Sequence, residues 1–154
     1  MKIRIKKVHP QAVLPAYAYA SGEDAGLDLC AVEEIALPPG GAKAVATGLA
    51  IEIPKGYEGQ VRPRSGMCLQ HSVIANFGTI DPGYRGEIRV VIINFGREAY
   101  TIRPGDRIAQ LVLARYEPVE WEEGELGASE RGARLWIVWF ISFGSTRGNT
   151  SARD

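Results

Sequence analysis

The sequence is poor in cysteine and histidine and carries no net charge. Its 154 residues include two cysteines, two histidines, and eighteen basic residues against eighteen acidic ones. Cys30 and Cys68 form no CxxC motif, which favours a reducing compartment over a disulfide framework. His9 and His71 lie far apart in the chain, so the sequence does not favour a zinc site. A neutral chain has no general attraction for nucleic acid or an anionic membrane, and we expect neither as a partner.

Long apolar runs are also absent. No segment reaches the ~20 apolar residues of a membrane span, and the N-terminal "MKIRIKKVHP" has charge but no apolar signal-peptide region. The run at 135–141, within "RLWIVWFI", is far too short to cross a bilayer. It is open to three interpretations: a buried strand, an exposed aggregation-prone edge, or a strand that packs on another subunit. We therefore expect a cytoplasmic protein.

Glycine and proline, in contrast, are plentiful and fall between short apolar segments. Eighteen glycines and nine prolines separate segments typical of β-strands at 3–8, 44–53, 87–95 and 107–116. Ile3 and Ile5 alternate with polar residues, as in a half-buried strand. The one helix candidate is "RSGMCLQ" at 64–70, with Ser65 as a possible N-cap. This pattern predicts one all-β domain, a sandwich or a barrel.

The stretch "GTIDPGYRGEI" contains a predicted tight turn. Asp81 occupies its first position, Pro82 presets φ at the second, and Gly83 suits the positive φ of a type II turn. Taken alone, Asp81 is a common turn residue. A rigid turn is also a good support for a catalytic carboxylate.

Other polar residues stand in unusual places. Asp28 in "AGLDLCA" lies between apolar residues, where a carboxylate needs a cation or an amide cluster. Arg64, Ser65 and Gly66 in "RPRSGM" lie where a strand meets a possible helix start, an arrangement suited to an anion. Gln110 lies in "GDRIAQL". The tail "SFGSTR" at 142–147 combines hydroxyl groups with a glycine, as phosphate-binding loops do.

Together, and in this order, these segments resemble the five motifs of the trimeric dUTPase family. The resemblance extends from "IRIKKV" to "FGSTR" and rests on "AGLDL", "PRSG", "GTIDPGYRGE" and "GDRIAQL". It implies a jelly-roll-like β-barrel at residues 1–130 and a C-terminal arm at 131–154. It further implies a homotrimer with sites at subunit interfaces. The implied activity is hydrolysis of dUTP to dUMP and diphosphate.

The resemblance also assigns roles to residues. Asp81 matches the carboxylate that orients and deprotonates the water attacking the α-phosphorus. Tyr84 matches the ring that packs under the deoxyribose and leaves no room for a 2′-hydroxyl. Asp28 matches the residue that holds Mg²⁺ through water. The implied substrate-binding residues are Arg64, Ser65, Gly66, Asn76, Gly78, Thr79, Ile80, Tyr84, Arg89, Gln110, Arg131, Phe143, Gly144, Ser145 and Thr146.

Within that set, two groups have distinct tasks in the family. Arg64, Ser65, Gly66 and Gln110 grip the triphosphate. The main chain of 78–80, with a hairpin before it, reads uracil. Many relatives carry an asparagine six residues before the catalytic aspartate; here that position is Ala75, and Asn76 follows it.

The last motif departs further from the family pattern R-G-x-G-G-F-G-S-T-G. Arg131 and Phe143 are twelve positions apart, separated by the apolar run, and Arg147 replaces the final glycine. Because a closing arm excludes water and completes a site, a displaced arm lowers activity more than it changes the fold. We expect deletion of residues 134–140 to raise the rate of diphosphate release.

Two other functions remain open at this point. A dCTP deaminase shares the fold and needs a glutamate near the base; Glu87 is a weak candidate because it belongs to the "YRGE" of dUTPases. A non-catalytic nucleotide-binding or assembly module is suggested by the altered tail, although the intact Asp81 and Tyr84 argue against it.

Overall fold

The computed structural model describes residues 1–19 and 23–129. Contacts divide the chain into two units, Met1–Val119 and Glu120–Asp154. In the second unit, the described residues 120–129 contain no strand or helix. Arg131, Phe143, Gly144, Ser145, Thr146 and the apolar run 135–141 lie outside the described residues. The boundary predicted after residue 130 stays a prediction.

The first unit is an assembly of short strands with a single short helix among its described residues. The elements are β1 Arg4–Lys7, β2 Ala16–Tyr17, β3 Leu27–Cys30, β4 Ile35–Leu37, β5 Ala42–Ala46, β6 Leu49–Glu52, β7 Tyr57–Arg62, α1 Ser65–His71, β8 Val73–Ala75, β9 Gly78–Ile80, β10 Arg89–Asn94, β11 Tyr100–Ile102 and β12 Arg107–Arg115. The all-β prediction is confirmed. In the part of the chain that the structure describes, no helix is long and apolar enough to cross a membrane.

The strands form four antiparallel sheets in a jelly-roll-like arrangement. The largest has the order β2-β3-β12-β7-β9, and a second has the order β5-β10-β8. Two-stranded sheets pair β1 with β6 and β4 with β11. The long strand β12 lies in the middle of the largest sheet, so it connects the "AGLDL" strand β3 to β7, which carries β9 on its other side.

The core between the sheets is aliphatic. Branched side chains from most strands are fully buried, which removes their apolar surface from water and supplies the main favourable free energy of folding. The largest of them are Leu29, Leu37, Leu49, Ile53, Ile92, Ile102, Ile108, Val45, Val73 and Val90.

The segment predicted as one strand at 44–53 is two strands, β5 and β6. Between them Gly48 adopts φ +67°, a conformation that favours glycine. The Oγ1 of buried Thr47 donates to the carbonyl of Ile88 at 2.7 Å. The apolar pattern continues through the break because both strands face the core. Periodicity alone therefore could not reveal the break.

Three other local predictions need correction. The helix predicted at 64–70 exists as Ser65–His71, but its N-cap residue is Arg64, which makes no side-chain capping bond. Strand β1 is exposed along its length rather than half-buried. The segments before and after Asn76 do not form a hairpin: β8 pairs with β10, whereas β9 pairs with β7, so the chain crosses there between two sheets.

Candidate functional site

A pocket of about 220 Å³ opens beside the predicted turn. Strand β9 and the residues that follow it bring together six of the residues predicted for the site, namely Gly78, Thr79, Ile80, Asp81, Tyr84 and Arg89; the pocket is also lined by Val61, Glu87 and Ile88. Asn76, in contrast, is exposed and is not among the lining residues. Its amide nitrogen donates to the carbonyl of Val91 at 2.7 Å.

The turn that carries Asp81 is closed by a backbone hydrogen bond. The amide of Tyr84 donates to the carbonyl of Asp81 at 3.0 Å. Gly83 has no positive φ, so the predicted type II geometry is wrong. Arg85 holds the turn from its own side chain, because its Nη1 donates to the carbonyls of Pro82 at 2.6 Å and Tyr84 at 2.8 Å. The turn is thus fixed by more than proline.

Tyr84 is fixed at its far end. Its hydroxyl donates to the carbonyl of Glu87 at 2.8 Å, and the side chain remains 45% exposed toward the pocket. The Glu87 carboxylate is used elsewhere: Oε1 accepts from the amide of Gly48 at 2.8 Å, and Oε2 lies 3.7 Å from Nη1 of Arg89. Glu87 is therefore a structural acceptor, which weakens its candidacy as a proton shuttle.

Arg89 is held at the pocket wall by acceptors from neighbouring segments. Its Nη2 lies 3.2 Å from Oε1 of Glu33 and 3.0 Å from the carbonyl of Ala44. The same Glu33 oxygen accepts from the amide of Ala46 at 2.6 Å. These contacts fix the orientation of the guanidinium group, which is half exposed and keeps a face toward solvent.

A second group of site residues surrounds Asp28 on β3. This carboxylate is 7% exposed and lies between two arginines, with Nε of Arg64 at 3.0 Å from Oδ1 and Nη1 of Arg107 at 3.2 Å from Oδ2. Arg64 also donates from Nη1 to the carbonyl of Arg107 at 3.1 Å. The cations explain how a carboxylate is tolerated at a buried position between apolar residues.

An irregularity in β12 aims Arg107 at this carboxylate. The register of β12 against β3 shifts between Arg107 and Ala109, so that one extra residue, Ile108, is accommodated. Such a bulge reverses the side to which the preceding side chain points. Arg107 consequently shares the face of Asp28. Sequence reasoning missed Arg107, because nothing in "GDRIAQL" reveals a bulge.

Gln110 on β12 lies directly beside Asp28. In the sheet it is paired with Asp28 on β3 and with Arg62 on β7. A Cβ added at Gly26 would lie 3.1 Å from both Cβ and Cδ of Gln110, so the small residue at 26 gives the Gln110 side chain its space. Ser65 and Gly66 are exposed in the first turn of α1, next to Arg64.

Cys30 follows Asp28 on the same face of β3. Burial, and then the negative charge of Asp28, raise the pKa of the Cys30 thiol above its ordinary value. The thiol is therefore protonated at neutral pH and adds no charge to the group around Asp28.

Asp28 is the residue that the family motif assigns to magnesium, and its surroundings limit how it can contact an ion. Both carboxylate oxygens already face guanidinium groups, at 3.0 Å and 3.2 Å, and Oδ1 is buried and receives no well-aligned hydrogen bond, so this carboxylate is poorly placed for direct coordination of a metal ion. Within residues 1–19 and 23–129, no three His, Cys, Asp or Glu side chains form a group that could hold a metal. Any remaining ligands of such an ion would come from water and substrate phosphates, as Mg²⁺ prefers.

The two groups of residues lie apart within one chain. Asp28 is on β3 and the pocket is built on β9, three strand spacings away in the same sheet. At ~4.8 Å per spacing, this amounts to about 14 Å across the sheet. The structure therefore brings together Asp28, Arg64 and Gln110, and separately Asp81, Tyr84 and Arg89.

Comparison with known proteins identifies the family to which the chain belongs. The sequence model of the dUTPase family matches residues 13–134. The chain belongs to the dUTPase family. The match ends at the residue before the apolar run of 135–141, which agrees with the departure seen in the last motif.

Relatives that are named as dUTPases cover most of the chain. A deoxyuridine 5′-triphosphate nucleotidohydrolase of Solibacter usitatus is 60% identical over 135 residues, 86% of this chain and 92% of its own. Its counterpart in Wolinella succinogenes is 51% identical over 136 residues, 86% of this chain and 90% of its own.

Solved dUTPase structures share the fold. The dUTPase of Staphylococcus bacteriophage 80alpha with dUpNHpp superposes with a TM-score of 0.81 at 26% identity, covering 88% of this chain and 96% of its own. A mutant dUTPase from phage phi11 of S. aureus, which coordinates a structural Mg(II) ion, superposes with a TM-score of 0.76 at 25% identity, covering 82% and 98%. The jelly-roll-like dUTPase fold is thus confirmed.

Proposed function

We propose that this dUTPase-family enzyme hydrolyses dUTP to dUMP and diphosphate by attack of water on the α-phosphorus. The observation that carries the proposal is the pocket in which Asp81, Tyr84 and the edge strand Gly78–Ile80 meet. Family membership makes dUTP hydrolysis the favoured reaction over deamination or binding without turnover. The engagement of the Glu87 carboxylate by Gly48 and Arg89 further disfavours a deaminase.

Asp81 acts as the general base. Its side chain is exposed at the end of β9, where a water molecule can reach it. The turn bond to Tyr84 and the two bonds from Arg85 hold the backbone of the turn. A positioned carboxylate within hydrogen-bond reach of water can orient it and accept its proton during attack.

Strand β9 reads the base through its main chain. It is the last strand of the five-stranded sheet and pairs only with β7 among the described residues. An edge strand has unpaired N–H and C=O groups, which match the imide edge of uracil in donors and acceptors. Tyr84, beside it, supports the deoxyribose and rejects a 2′-hydroxyl.

The group around Asp28 grips the triphosphate. Arg64 presents a guanidinium fork suited to phosphate oxygens, and its orientation is set by Asp28 before substrate arrives. Ser65, Gly66 and Gln110 add hydrogen bonds from adjacent positions. These donors stabilise the negative charge that moves onto the departing diphosphate. Arg89 contributes charge at the base pocket.

A magnesium ion would bind at the triphosphate end of the substrate. Asp28 would hold the hydrated ion through water, and the bound ion would neutralise phosphate charge. Residues Arg131, Phe143, Gly144, Ser145 and Thr146 complete the proposal as the arm that covers the nucleotide, in the roles that the family motif gives them.

The enzyme acts as a homotrimer with sites between subunits. The separation of Asp28 from the base pocket within one chain supports this assembly, since a single chain presents the phosphate grip and the base pocket on strands that lie apart. A neighbouring copy that presents its own base pocket to this phosphate grip makes one complete site.

The test is a diphosphate-release assay with Mg²⁺ and dUTP, dCTP, dTTP or UTP. We expect turnover of dUTP alone, and a loss of about a thousandfold in kcat for Asp81→Asn, which removes the base. Asp106→Asn is a matched control, because Asp106 lies in another Pro-Gly turn outside the pocket, where its Oδ2 accepts from the amide of Arg103 at 2.8 Å. Release of ammonia from dCTP, or unchanged activity of Asp81→Asn, would refute the proposal.

A further inference from the structure

The Tyr84 ring rests on the backbone of its own loop. A Cβ built on Gly86 would lie 2.5 Å from the Tyr84 hydroxyl oxygen, 2.7 Å from Cζ and 3.1 Å from Cε2. These are the three nearest atoms, and all belong to the outer end of the ring. Contacts this short do not occur between unbonded carbon and oxygen atoms. The ring can occupy its place only because residue 86 has no side chain.

The hydroxyl of Tyr84 completes the support. It donates to the carbonyl of Glu87 at 2.8 Å, one residue beyond Gly86. The missing side chain at Gly86 thus leaves space for the outer end of the ring, while the next carbonyl holds its hydroxyl group. Two features of one short loop together restrict where the end of the ring can lie.

We propose that Gly86 is a positioning residue for sugar selectivity and acts through the Tyr84 ring. The inference rests on the proposed function, in which Tyr84 leaves no room for a ribose 2′-hydroxyl. Selectivity of this kind depends on the distance between ring and sugar, so a support that fixes the ring also fixes the discrimination. The sequence motif places Gly86 two residues after Tyr84 but does not show this contact.

Substitution by alanine should move the ring and leave the fold intact. Gly86 does not have the positive φ that would strain an L-residue. The atoms that obstruct the new methyl group are the end of a half-exposed side chain, which can swing away, rather than backbone. Swinging also breaks the bond from the hydroxyl to Glu87.

The experiment compares kcat/KM for dUTP and UTP in the wild type and in Gly86→Ala. Steric rejection of an added hydroxyl by a pocket amounts to about a hundredfold. We expect Gly86→Ala to reduce the dUTP/UTP ratio about tenfold, because a displaced ring retains only part of that discrimination. Gly83→Ala is the matched control: it makes the same change in the same loop, where a Cβ meets nothing within 4 Å, and the ratio should be unchanged.

A double-mutant cycle tests whether Gly86 acts through the ring. In a Tyr84→Ala background the methyl group at 86 has no ring to displace, so Gly86→Ala should not change the ratio further. Tyr84→Phe, which keeps the ring and removes only the bond to Glu87, should lower the ratio by a smaller factor than Gly86→Ala. Circular dichroism checks that each variant is folded.

The outcomes separate this inference from the function on which it rests. A wild-type enzyme that leaves dUTP intact overturns both. A wild-type enzyme that discriminates against UTP, with an unchanged ratio in folded Gly86→Ala, overturns the positioning role alone. An equal effect of Gly86→Ala in the Tyr84→Ala background also overturns it. If Gly86→Ala does not fold, the double variant decides: failure of Gly86→Ala to fold in the Tyr84→Ala background as well would show that the glycine serves the backbone rather than the ring, and would overturn the proposal.

Discussion

Nε of Arg64 lies 3.0 Å from Oδ1 of Asp28, and this ion pair joins two segments that are distant in the sequence. Asp28 is almost fully buried, whereas the Arg64 side chain is 25% exposed. The carboxylate therefore holds the inner side of the guanidinium group and leaves part of it accessible. Its orientation is set before any anion binds, which lowers the entropic cost of gripping a phosphate.

Asp28→Asn should destabilise the fold. The change removes the negative charge that compensates Arg64 and Arg107, and we expect a loss of about 2 kcal/mol in the free energy of unfolding, measured by urea denaturation. Glu52→Gln is the control, because its pairs with Arg4 and Arg85 are both exposed to solvent and should each be worth less than about 0.5 kcal/mol. Equal losses in the two variants would contradict the role given to Asp28.

Asn94→Ala should also destabilise the protein. Fully buried Asn94 donates from Nδ2 to the carbonyls of Leu37 at 3.0 Å and Glu98 at 2.8 Å, and its Oδ1 accepts from the amide of Gly96 at 2.8 Å. Alanine leaves these groups without their partner, at a cost of about 3 kcal/mol. A thermal or urea midpoint that does not fall would show that water replaces the side chain without penalty.

The two cysteines should react at different rates. Cys68 is exposed on α1, whereas Cys30 is half-buried and has a raised pKa because of burial and the charge of Asp28. A higher pKa means less thiolate at a given pH, and thiolate is the reactive form. At pH 8, Ellman's reagent should modify Cys68 at least about tenfold faster than Cys30. Cys68→Ser should abolish the fast phase; a fast phase that persists would place the reactive thiol at Cys30.

The sequence predicted several strands and the position of the turn, though not the type of turn, because their signals are local. The apolar segments leading into β10 and β12 and the Asp-Pro-Gly turn are all readable from neighbouring residues. The bulge that aims Arg107 at Asp28 depends on how β12 pairs with β3, which no local pattern encodes. The positive φ at Gly48 was likewise hidden, because Thr47 and Gly48 interrupt the apolar residues of 44–53 for only two positions.

In the candidate site, too, some features could be predicted from the sequence and others could not. The motif resemblance assigned roles to Asp81 and Tyr84, and the structure places both at one pocket. The resemblance did not reveal what fixes Tyr84, because the supporting carbonyl of Glu87 is a backbone group and carries no sequence signal. Asn76 does not line this pocket, because β8 and β9 belong to different sheets, which only the tertiary pairing determines; its role in binding stays a prediction.

Subunit complementation should reveal whether sites form between copies. Arg64→Ala damages the phosphate grip and Asp81→Asn removes the base, and each variant alone should be nearly inactive. If a site takes Arg64 from one copy and Asp81 from another, random co-assembly after joint refolding leaves about a quarter of the sites intact. If both residues come from one chain, no mixed oligomer contains an intact site, and activity stays at the level of the parents. Arg64 contacts Asp28 on β3, whereas Asp81 follows β9, three strand spacings away in the same sheet. We therefore expect recovery to about a quarter of wild-type activity at equal mixing.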